Sequence, residues 1–402
     1  MDLFPHFPIH LDSVALFGIT LILGLIGGEF AKKTYFLPLL TGYIIIGFIF
    51  GPSGFNIVNS EVLSNSRIFI NIALSLILFQ LGHHLDFKWL MQDRGLLYTG
   101  ITESFLSWIA IFSFTYFLLN FSALQSAFAG TIAMVTSPSV VMTVAHDLIS
   151  DGPVTRRTLI LTSLNNLFAL IIFTCLLPFF KPSTLSVTVK YFHAAYQLIG
   201  SLIFAFLIFK FSQLIAYFIG KNKENQLILF LGLAMFAMSI CHIFHLSPTL
   251  TLFIIGVAAR NFDKKNLLIA IDFTWLAKIC LILLFVVTGV YLHFKNIWMI
   301  ASSALIFISI RWLAKITGLI LFARKSNLTS QQVIALSFSL SPITCIAIGM
   351  PMIVTEYNFD FGQQLLCLIT GVAVVLNFIG PIGTQLAFIK TGEALAKTKK
   401  GV

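Results

Sequence analysis

Apolar runs of about 18 or more residues recur along nearly the whole chain, and each is long enough to cross the hydrocarbon layer of a bilayer as a helix. The composition agrees, since 58% of the residues are apolar and 10% are charged, whereas a soluble domain is roughly half apolar and a quarter charged. The sequence therefore predicts an all-α polytopic membrane protein, with residues 1–402 as a single transmembrane domain.

Hydropathy, together with breaks at Gly, Pro and charged residues, predicts about thirteen transmembrane helices. In chain order, the predicted spans lie near residues 12–30, 35–51, 67–85, 95–119, 123–145, 157–180, 191–219, 225–244, 247–259, 267–292, 297–323, 330–354 and 361–389.

The basic residues test this placement independently of hydropathy. The loops after odd-numbered spans, together with the C-terminal tail, hold seventeen Lys and Arg residues, against four in the loops after even-numbered spans. Because cytoplasmic loops carry the excess of Lys and Arg, we expect the N-terminus outside and the C-terminus in the cytoplasm of a cell (inner) membrane. The net charge of +10 is then a topology signal, and we expect no nucleic-acid partner.

Three pairs of segments match in order, with offsets of 210, 207 and 204 residues. One pair sets VTSPSVV, with Pro138, against SLSPITC, with Pro342. Seven spans separate the members of each pair, an odd number, so the two copies cross the membrane in opposite directions. The sequence predicts an inverted-topology repeat over about 35–180 and 246–390, with two broken helices that cross near the midplane and a substrate site there.

Several segments together carry a family resemblance: LPLLTGYIIIGFIFGPSGF, LFQLGHHLDF, TSPSVVMTVAHDL, LFVVTGVYL and GPIGTQLAFIKTGEAL. In order and spacing they resemble the monovalent cation:proton antiporter-2 family, the sodium/hydrogen exchanger domain. The resemblance implies a secondary transporter that exchanges Na⁺ or K⁺ for protons, not an enzyme, built as a homodimer in which a core domain moves against a scaffold. We expect no cofactor, and no cytoplasmic nucleotide-binding domain before the end of the chain at Val402.

The sixth span departs from the family pattern. Relatives carry there a motif whose second residue is the Asp that binds cation and proton alternately, but this chain has Asn165 and Asn166. An amide can bind a cation through its carbonyl oxygen but cannot carry the exchanged proton. The predicted ion-binding residues are those two amides and the hydroxyl-bearing residues of the two broken helices, Thr136, Ser137 and Ser341.

Proton coupling then needs another group. By resemblance, Lys315 matches the lysine that pairs with the family's carboxylate, and Arg311 lies one turn before it on the same helical face. A buried lysine without its usual partner tends to lose its proton, so Lys315 is one candidate proton carrier. Glu103, within span 4, is the other, although a fixed Glu103–Arg311 ion pair that braces two helices is also expected, since charges inside membranes are commonly paired.

The sequence leaves other functions open. A protein of the same fold could provide a passive cation pathway or channel, carry an anionic or neutral solute without proton exchange, or act as a membrane regulator that transports nothing. No Walker motif or dinucleotide-binding glycine turn is present, so ATP-driven transport and redox chemistry are not supported. The histidines and cysteines show no metal-ligand spacing, and we expect no metal site.

Overall fold

The computed structural model describes residues 13–33, 39–55, 67–180, 186–263, 267–268, 279, 282–283, 285–287, 289–290, 294–323, 325–326, 328–344, 347, 350–351, 354 and 359–395. Over this part of the chain the regular structure is helical, apart from an isolated β-bridge between Ser150 and Ala394. The helices are α1 Ser13–Lys33, α2 Leu39–Phe50, α3 Arg67–His83, α4 Phe87–Gln92, α5 Arg94–Ser113, α6 Ala123–Met134, α7 Pro138–Asp147, α8 Pro153–Phe180, α9 Val187–Ile219, α10 Lys223–Ile243, α11 Pro248–Phe262, α12 Phe294–Ala323, α13 Ser330–Ser339 and α14 Phe359–Lys390.

The predicted all-α membrane fold is confirmed. Predicted spans 1 to 9 and 11 to 13 each contain one or two of these helices, while span 10, near 267–292, lies mostly outside the described residues. Within the described part, seven helical segments are long and apolar enough to cross a membrane. One of them, Ala123–Asp147, joins α6 and α7 across a break.

The chain divides into two compact units. One comprises residues 1–74 and 273–294, and the other comprises residues 75–272 and 295–402. In the first unit, α1 packs on α2, and their glycines Gly27 and Gly42 leave room for close backbone contact. All the predicted site residues lie in the second unit.

The break between α6 and α7 follows from its sequence. Helix α6 ends at Met134, the next residues are extended, and Pro138 begins α7. Proline lacks the N–H that a continuous helix needs but fits the first turn of a new one. The hydroxyl of Ser137 accepts a hydrogen bond from the N–H of Val140 and so caps α7.

The second break follows α13, which ends at Ser339 and is succeeded by non-helical residues 340–344 that include Pro342. The two breaks are in contact, because the N–H of Ser137 donates to the carbonyl of Pro342 at 3.0 Å. The hydroxyl of Thr136 also donates to the carbonyl of Leu340 at 3.3 Å. The predicted meeting of two broken helices, each marked by a Ser-Pro pair, is therefore present in the structure.

Candidate functional site

A buried ion pair joins α5 and α12. The Nζ of Lys315 donates to Oε2 of Glu103 at 2.7 Å, and both side chains are fully buried. The helices can approach closely here because Gly318 has no side chain. A Cβ at this position would overlap the backbone of Glu103. The expected Glu103–Arg311 pair is thus wrong: Glu103 pairs with Lys315, which is not the partnerless lysine that the sequence suggested.

Arg311 instead forms hydrogen bonds with backbone carbonyls at the two breaks. Its guanidinium donates to the carbonyls of Ala133, Val135 and Ser341, each at 2.8 Å. Carbonyls at the end of a helix have no partner within the helix, and the planar guanidinium offers five donors in a fixed fork. One buried side chain on α12 therefore satisfies the carbonyl ends of both breaks.

The carboxylate of Glu103 is only half satisfied. Its Oε1 atom is buried without a hydrogen-bond partner among the described residues, and the Oγ1 atom of Thr162 is in the same condition. Lys315 links the carboxylate to the first break, since its Nζ lies 3.4 Å from both the Met134 carbonyl and the Thr136 hydroxyl. An unpaired oxygen on an ionisable group buried inside a membrane protein is costly and makes Glu103 a candidate functional residue.

The two amides on α8 face this break. The Nδ2 of Asn166 donates to the carbonyl of Thr136 at 2.7 Å and to that of Thr162 at 2.8 Å. The Oδ1 of Asn165 accepts from the hydroxyl of Ser104 at 2.6 Å, while its Nδ2 donates to Thr136 Oγ1 at 3.2 Å. Asn166 therefore directs one hydrogen-bond donor at the break and one at the backbone of its own helix, where a carboxylate would direct oxygens.

The remaining predicted residues are engaged in local structure. The hydroxyl of Ser137 caps α7, and that of Ser341 donates to the carbonyl of Phe338 at 2.6 Å. Pro138 and Pro342 are both buried at the breaks. The structure thus gathers Glu103, Lys315, Arg311, Thr136, Asn165 and Asn166 around the breaks, whereas the side chains of Ser137 and Ser341 bond within their own turns.

Two further residues were not predicted from the sequence. Ser104 donates directly to Asn165, and Thr162, one turn before Asn166, has a buried hydroxyl with no hydrogen-bond partner in the described part of the chain. Both could have been found, because Ser104 follows the singled-out Glu103 and Thr162 lies four residues before Asn166 on the same helical face. The site thus contains buried carboxylate, hydroxyl and amide oxygens on α5 and α8, and oxygens of these kinds are the ligands of hard cations.

The helices that supply the site are tied together at one end. Arg157, near the start of α8, donates to Asp93 at 3.1 Å and to the carbonyl of Ser326 at 2.8 Å. Asp93 also caps α5 through the N–H of Leu96, and Ser326 follows α12. The helices of Glu103, of the two amides and of Lys315 therefore share a fixed point.

Comparison with known proteins agrees with this architecture. The family model described as the transmembrane sodium/hydrogen exchanger matches residues 18–390. No curated protein sequence matches the chain. Among solved structures, the sodium proton antiporter MjNhaP1 from Methanocaldococcus jannaschii is similar, with a TM-score of 0.71 and 17% identity over 97% of this chain and 99% of that one. At this identity the likeness shows the fold.

Proposed function

Because the chain belongs to the sodium/hydrogen exchanger family, we propose that it is a secondary transporter that exchanges Na⁺ or K⁺ for protons across the membrane. The Glu103–Lys315 pair is the observation that carries the proposal. It offers a fully buried carboxylate with one oxygen on an ammonium and the other without a hydrogen-bond partner among the described residues.

The pair supports exchange by competition for one carboxylate. A cation that binds Oε1 of Glu103 lies close to the ammonium of Lys315, and like charges at short range favour loss of the lysine proton. When the proton returns, the ammonium takes the carboxylate back and the cation leaves. Asn165 and Thr162 offer neutral oxygens on α8, and Arg311 stays fixed on the helix ends.

The arrangement of the whole transporter belongs to the same proposal. It comprises a single transmembrane domain with the two inverted repeats, a homodimer in the cell membrane, an external N-terminus and a cytoplasmic C-terminus. The distribution of Lys and Arg between alternate loops supports the orientation, and family membership supports the dimer.

Proteoliposomes that contain a pH-sensitive dye test the exchange. Addition of Na⁺ or K⁺ should drive proton movement in the wild type, and Glu103→Gln and Lys315→Met should each slow it by roughly a hundredfold, the scale of a lost proton-transfer group. The matched controls are Glu224→Gln and Lys210→Met, since both residues are exposed. They should leave the rate unchanged.

Two outcomes would contradict the proposal. One is a wild type in which neither cation moves protons, and the other is full activity in Glu103→Gln. Uptake of a cation or solute without a pH change would instead support a transporter or channel without proton exchange, and inactivity towards all solutes would support a membrane regulator.

A further inference from the structure

The segment that follows α14 carries a buried carboxylate outside the exchange site. Glu393 is only 7% exposed. Its Oε1 accepts from the N–H of Val154 at 2.7 Å, and its Oε2 accepts from the N–H and the hydroxyl of Thr155 at 2.7 and 2.8 Å. Both oxygens are therefore bound to the first turn of α8, more than 200 residues away in the sequence.

The backbone around Glu393 joins the same contact. Its carbonyl accepts from the N–H of Asp151 at 3.2 Å, and Ala394 forms a β-bridge with Ser150. Gly152 packs so closely on the Glu393 side chain that a Cβ there would overlap it. The segment therefore contacts both the connection between α7 and α8 and the first turn of α8.

Helix α8 depends on this distant carboxylate. The first N–H groups of a helix lack partners, and a negative charge is favoured beside them. The first turn of α8 contains no acidic residue of its own and includes Arg156, with Arg157 directly after it. The carboxylate of Asp151, just before the helix, pairs with Arg156 instead. Glu393 supplies from beyond the end of α14 the negative charge that binds the N–H groups of Val154 and Thr155.

The contact bears on the exchange site through two helices. Asn166 lies on α8 about 17 Å beyond Thr155 at 1.5 Å per residue. Helix α14, which leads into Glu393, packs on α7 and α13, the helices that adjoin the two breaks. Glu393 therefore links α8, which carries Asn165 and Asn166, to α14, which packs on the helices beside the two breaks.

We propose that Glu393 is a positioning residue for the exchange, which fixes α8 so that Asn166 meets the carbonyl of Thr136 at the break. Its effect on transport rests on the proposed function, whereas its effect on the break does not. Losing the contact lets the start of α8 move relative to α14, so that Asn166 meets the break in a geometry that binds the cation less well.

Hydrogen exchange and transport measured on the same full-length variants test this role. Glu393→Gln removes the charge, and Gly152→Ala displaces the carboxylate without altering it. Both should speed amide exchange at Val154 and Thr155 by roughly tenfold, the scale of one lost charged hydrogen bond. Both should also speed exchange over residues 135–141 and raise the half-saturating Na⁺ concentration more than they lower the maximal rate.

Glu224→Gln is the control, because Glu224 is an exposed carboxylate in the first turn of another helix. Unchanged exchange at the start of α8 would overturn the contact, and faster exchange there with unchanged exchange over 135–141 would reduce it to a helix cap. A wild type that moves no protons would contradict the proposed function alone, since exchange over 135–141 still decides the positioning.

Discussion

Asn165 and Asn166 are neighbours in the sequence but use their amides in opposite ways. Asn166 donates both of its observed hydrogen bonds, to the carbonyls of Thr136 and Thr162. Asn165 accepts from Ser104 and donates to a hydroxyl that can itself turn and donate. An ionised carboxylate can only accept hydrogen bonds. It can therefore replace the amide of Asn165 but not that of Asn166.

We therefore predict that Asn166→Asp destabilises the protein by about 3 kcal/mol, because an ionised carboxylate would face two carbonyl oxygens in a buried site. Asn165→Asp, the matched control, should cost less than half as much. Thermal unfolding in detergent measures both. The loss in Asn166→Asp should shrink at acidic pH, where the neutral acid donates one hydrogen bond, and equal losses in the two variants would contradict the assignment.

The buried pair permits a second prediction at this scale. Glu103→Gln should cost about 3–5 kcal/mol, because it leaves the Lys315 ammonium buried without its counter-charge. The double variant Glu103→Gln/Lys315→Met should be more stable than that single variant, since no buried charge is then left over. A double-mutant cycle of unfolding free energies gives the coupling, and additive losses would show that the two groups are independent.

At the scale of elements, the two breaks depend on a guanidinium supplied by α12. We predict that Arg311→Lys costs at least about 2 kcal/mol, because an ammonium cannot reach three carbonyls in a planar fork and leaves buried acceptors unpaired. Arg260→Lys is the control, since Arg260 binds Asp86 with a side chain that is 45% exposed. Unfolding midpoints compare the two, and equal midpoints would argue against a capping role.

The close approach of α12 to α5 permits a further prediction. Gly318→Ala should destabilise the protein by about 1–3 kcal/mol, the cost of overpacking, because the new methyl group would meet the backbone of Glu103. It should also impair transport by separating Lys315 from the carboxylate. Gly232→Ala, at a helical glycine with nothing within 4 Å of an added Cβ, should be neutral or slightly stabilising. Similar losses in both variants would rule out the steric cause.

At the scale of the whole molecule, the alternation of basic loops predicts the orientation. An impermeant maleimide added to intact cells should label Ala123→Cys, at the exposed first residue of α6, where an odd-numbered span begins on the predicted outer side. Lys221→Cys, which is exposed after an odd-numbered span, should react only in permeabilised cells. The reverse pattern would invert the topology, and labelling of both sites in intact cells would change the number of spans between them.

The helices of the described part and the meeting of the two breaks were predictable, because apolar length and the repeated Ser-Pro pairs are properties of the chain itself. The partner of Glu103 was not predictable. Repeat symmetry aligned it with Arg311, but the partner is set by the rotation of α12 about its axis and by the close approach at Gly318. The role of Glu393 depends on a contact across 239 residues, for which no local pattern exists.

The buried ion pair and the helix-capping arginine together determine the net charge of the site. Arg311 and Lys315 bring two positive charges and Glu103 one negative charge, so the cluster has a net charge of +1. A monovalent cation that joined them would raise that charge to +2, where each uncompensated ion costs several kcal/mol. Arginine keeps its proton, so Lys315 is the member that can restore the balance. In the proposed exchange, the cost of uncompensated buried charge would then couple the entry of a cation to the loss of a proton, although position 166 holds an amide and not a carboxylate.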